Sequence, residues 1–138
     1  MQTLAEQMGG HVISSDQKEF GHSELEILTE SILFKGLDNK INVWMSHGDQ
    51  VQDLPDDYDL IASTSSAPIA AMQHKKLPIF AIQFHPEVTH TKDGQSILEN
   101  FIFKSCNAKP HWKMDNLISS RIEEIKQNID KSLESFTE

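Results

Sequence analysis

Cysteine is almost absent from this chain: one residue, Cys106, in 138. No internal disulfide can form, so the sequence suits a reducing compartment and the expected localisation is cytoplasmic. Positive charge is also scarce, with 12 Lys and Arg against 21 Asp and Glu and a formal net charge of −9. Nucleic acid and anionic membrane surfaces are bound through clustered positive charge, so neither is expected as a partner. No apolar run approaches the length of a membrane span. The opening "MQTLAEQMGG" lacks the basic and apolar regions of a signal peptide. What is present is a globular composition, 38% hydrophobic and 24% charged, in a length that can bury one domain core.

Met1, Leu4, Ala5 and Met8 share one helical face, and Gly9 and Gly10 supply a stop. This helix opens at the first residue without a Ser, Thr, Asp or Asn cap, so the chain is expected to begin inside a longer one. Residues 11–45 predict short strands at "HVISS", "LEIL", "SILF" and "INVWMS", with "KGLDNK" a turn. "YDLIAS" predicts another, followed by a Ser/Thr turn and a strand from about Ile69. "LPIFAIQF" is an almost unbroken apolar run, which predicts a strand covered on both faces, as at the centre of a layered α/β sheet. Beyond it, "TKDGQSILENFIFKSC" predicts a turn and a helix packing through Ile97, Leu98, Phe101 and Ile102. Pro110 breaks that helix, and a domain boundary is expected at residues 107–113. The tail carries Ile118, Ile122, Ile125, Ile129 and Leu133 at spacings of three and four, an amphipathic helix with no sheet of its own. It is either a partner-binding helix or the first helix of a further domain.

Two polar clusters follow apolar strands. The first is His85-Pro86-Glu87. Residues two apart on extended backbone point to the same side, and Pro86 pushes His85 toward that conformation. A carboxylate on one ring nitrogen fixes the tautomer and leaves the other nitrogen to accept a proton. The tripeptide fits equally a strand cap with a solvated glutamate. The second cluster, "VWMSHGDQV", brings Ser46, His47, Gly48 and Asp49 to what the pattern marks as a strand end, where Gly48 permits a turn. An ordinary polar turn accounts for it as well. Cys106 lies at a helix C-terminus, which disfavours a thiolate, and reads as a packing cysteine. No G-x-S-x-G elbow surrounds Ser46. His85, Glu87, His90 and Asp93 lack the spacing of a zinc site, and His11, His22, His74 and His111 read as surface residues.

Together these stretches resemble the class I, triad-type glutamine amidotransferases, in the GMP synthase branch. M-S-H-G-D with H-P-E-V-T-H-T carries the resemblance, supported by "MQTLAEQMGG", "EFGHSELEI" and "LPDDYDLIASTSSAPIAA". It implies an α/β fold: an incomplete amidotransferase domain over residues 1–106, with a layered, mostly parallel sheet, flanking helices and some antiparallel strands. A linker at 107–113 would lead to a separate amphipathic helix at 114–138, the start of an ATP pyrophosphatase domain. In such enzymes a cysteine on a strand-to-helix elbow attacks the side-chain amide of glutamine, while the H-P-E histidine handles the proton and the glutamate orients it.

By this resemblance His85 is the catalytic base and Glu87 its partner, while Gln2, Ser46 and His47 face the substrate glutamine. The nucleophile is expected three residues before Met1, so the chain alone is expected to be inactive. The ammonia would serve ATP-dependent amination of XMP to GMP, in purine biosynthesis. XMP, ATP and magnesium belong to the remaining synthetase part; no cofactor or metal is assigned to these residues. An unpaired strand edge would be covered by the rest of the enzyme or by a homodimer. A reading from a different class is a non-catalytic amidotransferase-like binding or regulatory subunit that holds a partner through its tail helix.

Overall fold

The computed structural model describes residues 1–110 and 114–134. They fall into two units, Met1–Ala108 and Lys109–Glu138. Of the expected linker, His111, Trp112 and Lys113 lie outside the described residues, as do 135–138 of the tail.

Helix α1 spans Gln2–Gln7. Ala5 is wholly buried, and Met1 and Leu4 pack on a cluster of Val51, Tyr58, Ile69, Met72 and Ala81. Met8, expected on the same face, is exposed instead, because the helix ends there and Gly9 turns away at φ 90°. Gly10 follows in close quarters: a Cβ there would lie 2.7 Å from the Asp53 carbonyl oxygen.

Strands β1 (His11–Ile27) and β2 (Lys40–Asp53) form one long antiparallel ribbon, running from Val12 opposite Val51 to Glu26 opposite Lys40. "HVISS" and "LEIL" are therefore parts of a single strand. "SILF" is corrected from strand to a 3-10 turn, Ile32–Phe34, in which the Ser31 hydroxyl accepts from the Leu33 amide at 3.3 Å. Leu33 and Phe34 are both buried, which neighbours on an alternating strand cannot both achieve against one face. On β2 the alternation is clean: Ile41, Val43, Met45 and His47 point inward, while Asn42 and Ser46 point out.

Strands β3 (Tyr58–Ser63), β4 (Ala71–His74) and β5 (Phe80–Ile82) complete a five-stranded sheet in the order β2-β1-β3-β4-β5. All the described pairings are antiparallel, which corrects the expectation of a mostly parallel sheet. Parallel neighbours need long crossover connections, usually helical; here the strands follow one another through short loops, and the next helix comes only after β5. Among the described strands β5 stands at one edge of the sheet, not at its centre as expected, although its apolar run does lie between two packed faces. Phe80 and Ile82 join a core built on Leu25, Met45, Ile61 and Phe84, while Ile79 and Ala81 join the cluster beneath α1.

After β5 the chain turns through His85-Pro86-Glu87 into α2 (Gly94–Glu99), which continues as a π-helical turn, Asn100–Ser105. The expected packing stripe is realised only at Ile97, which is buried; Leu98, Phe101 and Ile102 are exposed, although the Phe101 ring meets Phe80 edge-on. The wider π turn brings Asn100 inward instead, where its Nδ2 donates to the Leu33 and Lys35 carbonyls, both at 3.0 Å. Cys106 ends the turn exposed, so it is not a packing cysteine. In the second unit, α3 spans Met114–Glu134, with Ile118, Ile122, Ile125 and Ile129 exposed along one stripe; the Leu133 side chain lies outside the described set. No helix among the described residues is long and apolar enough to cross a membrane.

Candidate active site

His85 and Glu87 meet as their spacing predicts: His85 Nδ1 lies 2.8 Å from Glu87 Oε1. An ionised carboxylate only accepts, so Nδ1 carries a proton, and in the neutral ring Nε2 is then the nitrogen with the lone pair. The hydrogen bond from His85, aided by the Glu87 backbone amide, holds the Glu87 carboxyl below its ordinary range, and Glu87 is ionised at neutral pH. Both side chains remain partly open to solvent, at 40% and 60% exposure. The result is an imidazole with its ring oriented on a partly exposed side chain, an arrangement that can act as a base.

The turn carrying this pair is pinned to β2 on both sides of its backbone. The His85 amide donates to the Trp44 carbonyl at 2.9 Å. The Thr91 hydroxyl, on a residue only 4% exposed, accepts from the Trp44 amide at 3.0 Å and donates to the His85 carbonyl at 2.6 Å. Position 94 completes the fit, since a Cβ on Gly94 would lie 1.9 Å from the Pro86 carbonyl oxygen. Thr91 and Gly94 stand in the quoted H-P-E-V-T-H-T and T-K-D-G stretches, yet pattern alone gave no reason to single them out.

Gln2 is brought to the same neighbourhood. Its Nε2 donates to the Asp49 carbonyl at 3.0 Å and to Gln83 Oε1 at 3.1 Å, while Gln83 Nε2 donates to that Asp49 carbonyl at 2.8 Å. The start of α1, the middle of β2 and the segment two residues before His85 thus share one amide network. Gln83 escaped the sequence reading because it sits inside an apolar run; a buried polar residue there is itself the signal that was available.

Ser46 and His47 do not end a strand. Both lie within β2, opposite Phe20 and Glu19, and the excess residues of the irregular stretch belong to β1, between Ser14 and Glu19. Gly48 makes no positive-φ turn. Ser46 is exposed, whereas the His47 ring turns into the protein with Nε2 3.2 Å from Glu19 Oε2. Its Nδ1 is buried without a hydrogen-bond partner among the described residues. Ser46 and His47 therefore point to opposite faces, and only Ser46 opens to solvent.

The remaining histidines divide. His11 is exposed beside Asp53 at 3.5 Å, and His74 Nδ1 accepts from the Lys76 and Leu77 amides to close the β4–β5 turn. His22 and His90 pack with Trp44, the Trp44 and His90 ring centres 4.4 Å apart. His111 lies outside the described residues. A surface cleft lined by Ile27, Thr29, Glu30, Lys35 and Asn39, at the loop joining β1 to β2, contains none of the candidate site residues.

Residues 1–105 match the family model described as glutamine amidotransferase class-I. A GMP synthase (glutamine-hydrolyzing) of Vibrio cholerae is 45% identical over 129 residues, which cover 94% of this chain and 25% of the relative. That of Aliivibrio fischeri is 43% identical over the same shares. The chain thus spans about a quarter of the length of these curated relatives. Among solved structures, a protein from Thermoplasma acidophilum described as one subunit of a GMP synthase aligns with TM-score 0.73 and 38% identity, over 77% of this chain and 53% of that one. A glutamine amidotransferase from Thermotoga maritima, 21% identical over 96% of this chain and 56% of that chain, shares the fold with TM-score 0.58. With its fold, its H-P-E turn and these likenesses together, the chain belongs to the class-I glutamine amidotransferases.

Proposed function

We propose that this chain is the glutamine-handling part of a GMP-synthase-type enzyme. In this reading a cysteine thiol, supplied by a part of the enzyme other than these residues, gives its proton to His85 Nε2. The thiolate adds to the side-chain amide carbon of glutamine. His85 returns the proton as the carbon–nitrogen bond breaks, and ammonia leaves. Water then cleaves the thioester to glutamate, with His85 again taking the proton. Glu87 holds the ring in the productive tautomer and stabilises the imidazolium each time it forms. Gln2 and Ser46 face the substrate, while His47, matched to the same loop by resemblance, is turned inward against Glu19.

The ammonia would serve ATP-dependent amination of XMP, with ATP and magnesium held by a synthetase portion to which α3 is the lead-in, in a cytoplasmic enzyme whose unpaired strand edge is covered by its other parts or by a second copy. The observation that carries the proposal is the 2.8 Å contact between His85 and Glu87 on a turn anchored to β2. Cys106 makes no hydrogen bond or ion pair with His85 or Glu87 among the described residues, and in this reading the nucleophile is not Cys106.

The test is to add L-glutamine to the isotope-labelled chain and follow both resonance shifts and glutamate. Shifts at Gln2, Ser46 and His85 without glutamate release are expected. Glutamate release abolished by Cys106→Ser would transfer the nucleophile to Cys106. No shift at any of these positions would remove glutamine from the reading. The exposed isoleucine stripe of α3 would then favour a non-catalytic binding subunit, whose partner should be lost on cutting after Lys113.

A further inference from the structure

Gln83 is only 6% exposed, and both polar atoms of its amide are engaged. Nε2 donates to the Asp49 carbonyl at 2.8 Å, and Oε1 accepts from Gln2 Nε2 at 3.1 Å. Gln2 Nε2 reaches the same Asp49 carbonyl at 3.0 Å. A backbone carbonyl can only accept, so both amides must turn their NH2 groups toward Asp49. Flipping either one would set oxygen against oxygen. With Gln83 held in that sense, its Oε1 is the acceptor that meets the second proton of Gln2. A primary amide has two N–H bonds, and both of those on Gln2 are now used. What Gln2 has left is Oε1, an acceptor, on a residue that is only partly buried.

We infer that Gln83 is a positioning residue of the site: it fixes the Gln2 amide so that Gln2 presents its oxygen, and so selects a substrate group bearing N–H. The inference rests on reading Gln2 as facing glutamine. Burial strengthens it, because a buried amide deprived of either partner bears its full desolvation cost and no solvent replaces the lost bond. The same amide ties the first turn of α1 to the chain segment that reaches His85 two residues later. Gln83 therefore sets the place of Gln2 as well as its orientation.

The experiment follows the Gln2 side-chain amide protons by nuclear magnetic resonance in the full chain, with L-glutamine affinity measured in parallel. In the wild type the two protons should be resolved, slow to exchange with solvent and in through-space contact with the Gln83 side chain. Gln83→Leu should speed their exchange, and weaken L-glutamine binding, by about tenfold, the equivalent of one lost hydrogen bond. Gln83→Glu loses the donor to Asp49 but keeps an acceptor for Gln2, so it should leave the Gln2 amide protons better protected than Gln83→Leu does. Unchanged exchange and affinity in Gln83→Leu would overturn the inference. If neither variant folds, the wild type decides, and absence of contact between the Gln2 amide protons and Gln83 overturns it. Protection of Gln2 that depends on Gln83, in a chain that binds no L-glutamine, would uphold the positioning role and defeat the glutamine reading.

Discussion

Gly94 lies so close against Pro86 that a Cβ at position 94 would fall 1.9 Å from the Pro86 carbonyl oxygen and 2.8 Å from its carbon. No side-chain rotation relieves a contact with backbone, so Gly94→Ala must move either the first turn of α2 or the H-P-E turn. Overpacking of this kind costs about 1–3 kcal/mol. We expect Gly94→Ala to lower the urea midpoint accordingly and to spread the resonances of His85 and Glu87. Gly48→Ala is the control: its nearest neighbours are Lys18 side-chain atoms at 3.9 Å or more, and the change should stay within about 0.5 kcal/mol. Equal stability of the two variants would show that the turn does not depend on this contact.

The Thr91 hydroxyl serves two backbone groups at once, accepting from Trp44 and donating to His85. Thr91→Val keeps the shape and removes the hydroxyl, leaving one amide and one carbonyl without that partner. The expected loss is about 1–3 kcal/mol, together with faster exchange of the Trp44 amide. Thr91→Ser should restore most of both. A Val variant as stable as the wild type, with the Trp44 amide still protected, would remove the hydroxyl from the anchoring of His85.

How much of this was legible beforehand depends on the range of each interaction. His85 and Glu87 are two residues apart with a proline between them, so local geometry made their contact possible, though it left a solvated glutamate open as well. The two covered faces of β5 followed from its unbroken apolar run. The link from Gln2 through Asp49 to Gln83 joins distant parts of the chain through amide orientation, which no periodicity encodes. Ser46 and His47 were misplaced for a related reason. Polar residues after an apolar stretch resemble a strand end, but β2 continues because an irregular stretch of β1 pairs alongside it. Strand direction was illegible too, since a strand covered on both faces can be either parallel or antiparallel. The inward Asn100 was hidden by a π turn, which shifts the faces of a helix without any change in apolar spacing.

Glu87 gives a pH-dependent test. Its carboxyl is held below the ordinary value of 4.5, first by the hydrogen bond from His85. A lowered carboxyl contributes stability that is fully present above about pH 4.5 and fades as pH falls through the folded-state value. With Glu87 60% exposed, solvent screening keeps that contribution below about 1 kcal/mol. Glu87→Gln should flatten the acid limb of the stability curve slightly. It should also change the His85 ring far more visibly, because an amide can either accept from Nδ1 or donate to it, and the single tautomer is lost. Ring nitrogen shifts that still report one tautomer in Glu87→Gln would mean that the carboxylate does not set the proton position.

Asn100 offers the sharpest separation of hydrogen bonding from packing. It is 3% exposed, donates to the Leu33 and Lys35 carbonyls at 3.0 Å each, and accepts from Lys104 Nζ. Asn100→Asp keeps the volume but sets carboxylate oxygen against two carbonyl oxygens, whereas Asn100→Leu adds apolar surface and leaves both carbonyls without this donor. If the hydrogen bonds hold the 3-10 turn, both variants lose about 2–3 kcal/mol by denaturant titration, and the Asp variant recovers as acid protonates it. If packing governs, the Leu variant stays near wild type and only Asp suffers. Because Leu33 and Phe34 bring the 3-10 turn into the core that also contains Phe84, a loosened turn should reach the residue next to His85. Exchange rates of the Phe84 and His85 amides, measured in both variants, would show whether this distant asparagine supports the His85 turn or only the loop it touches.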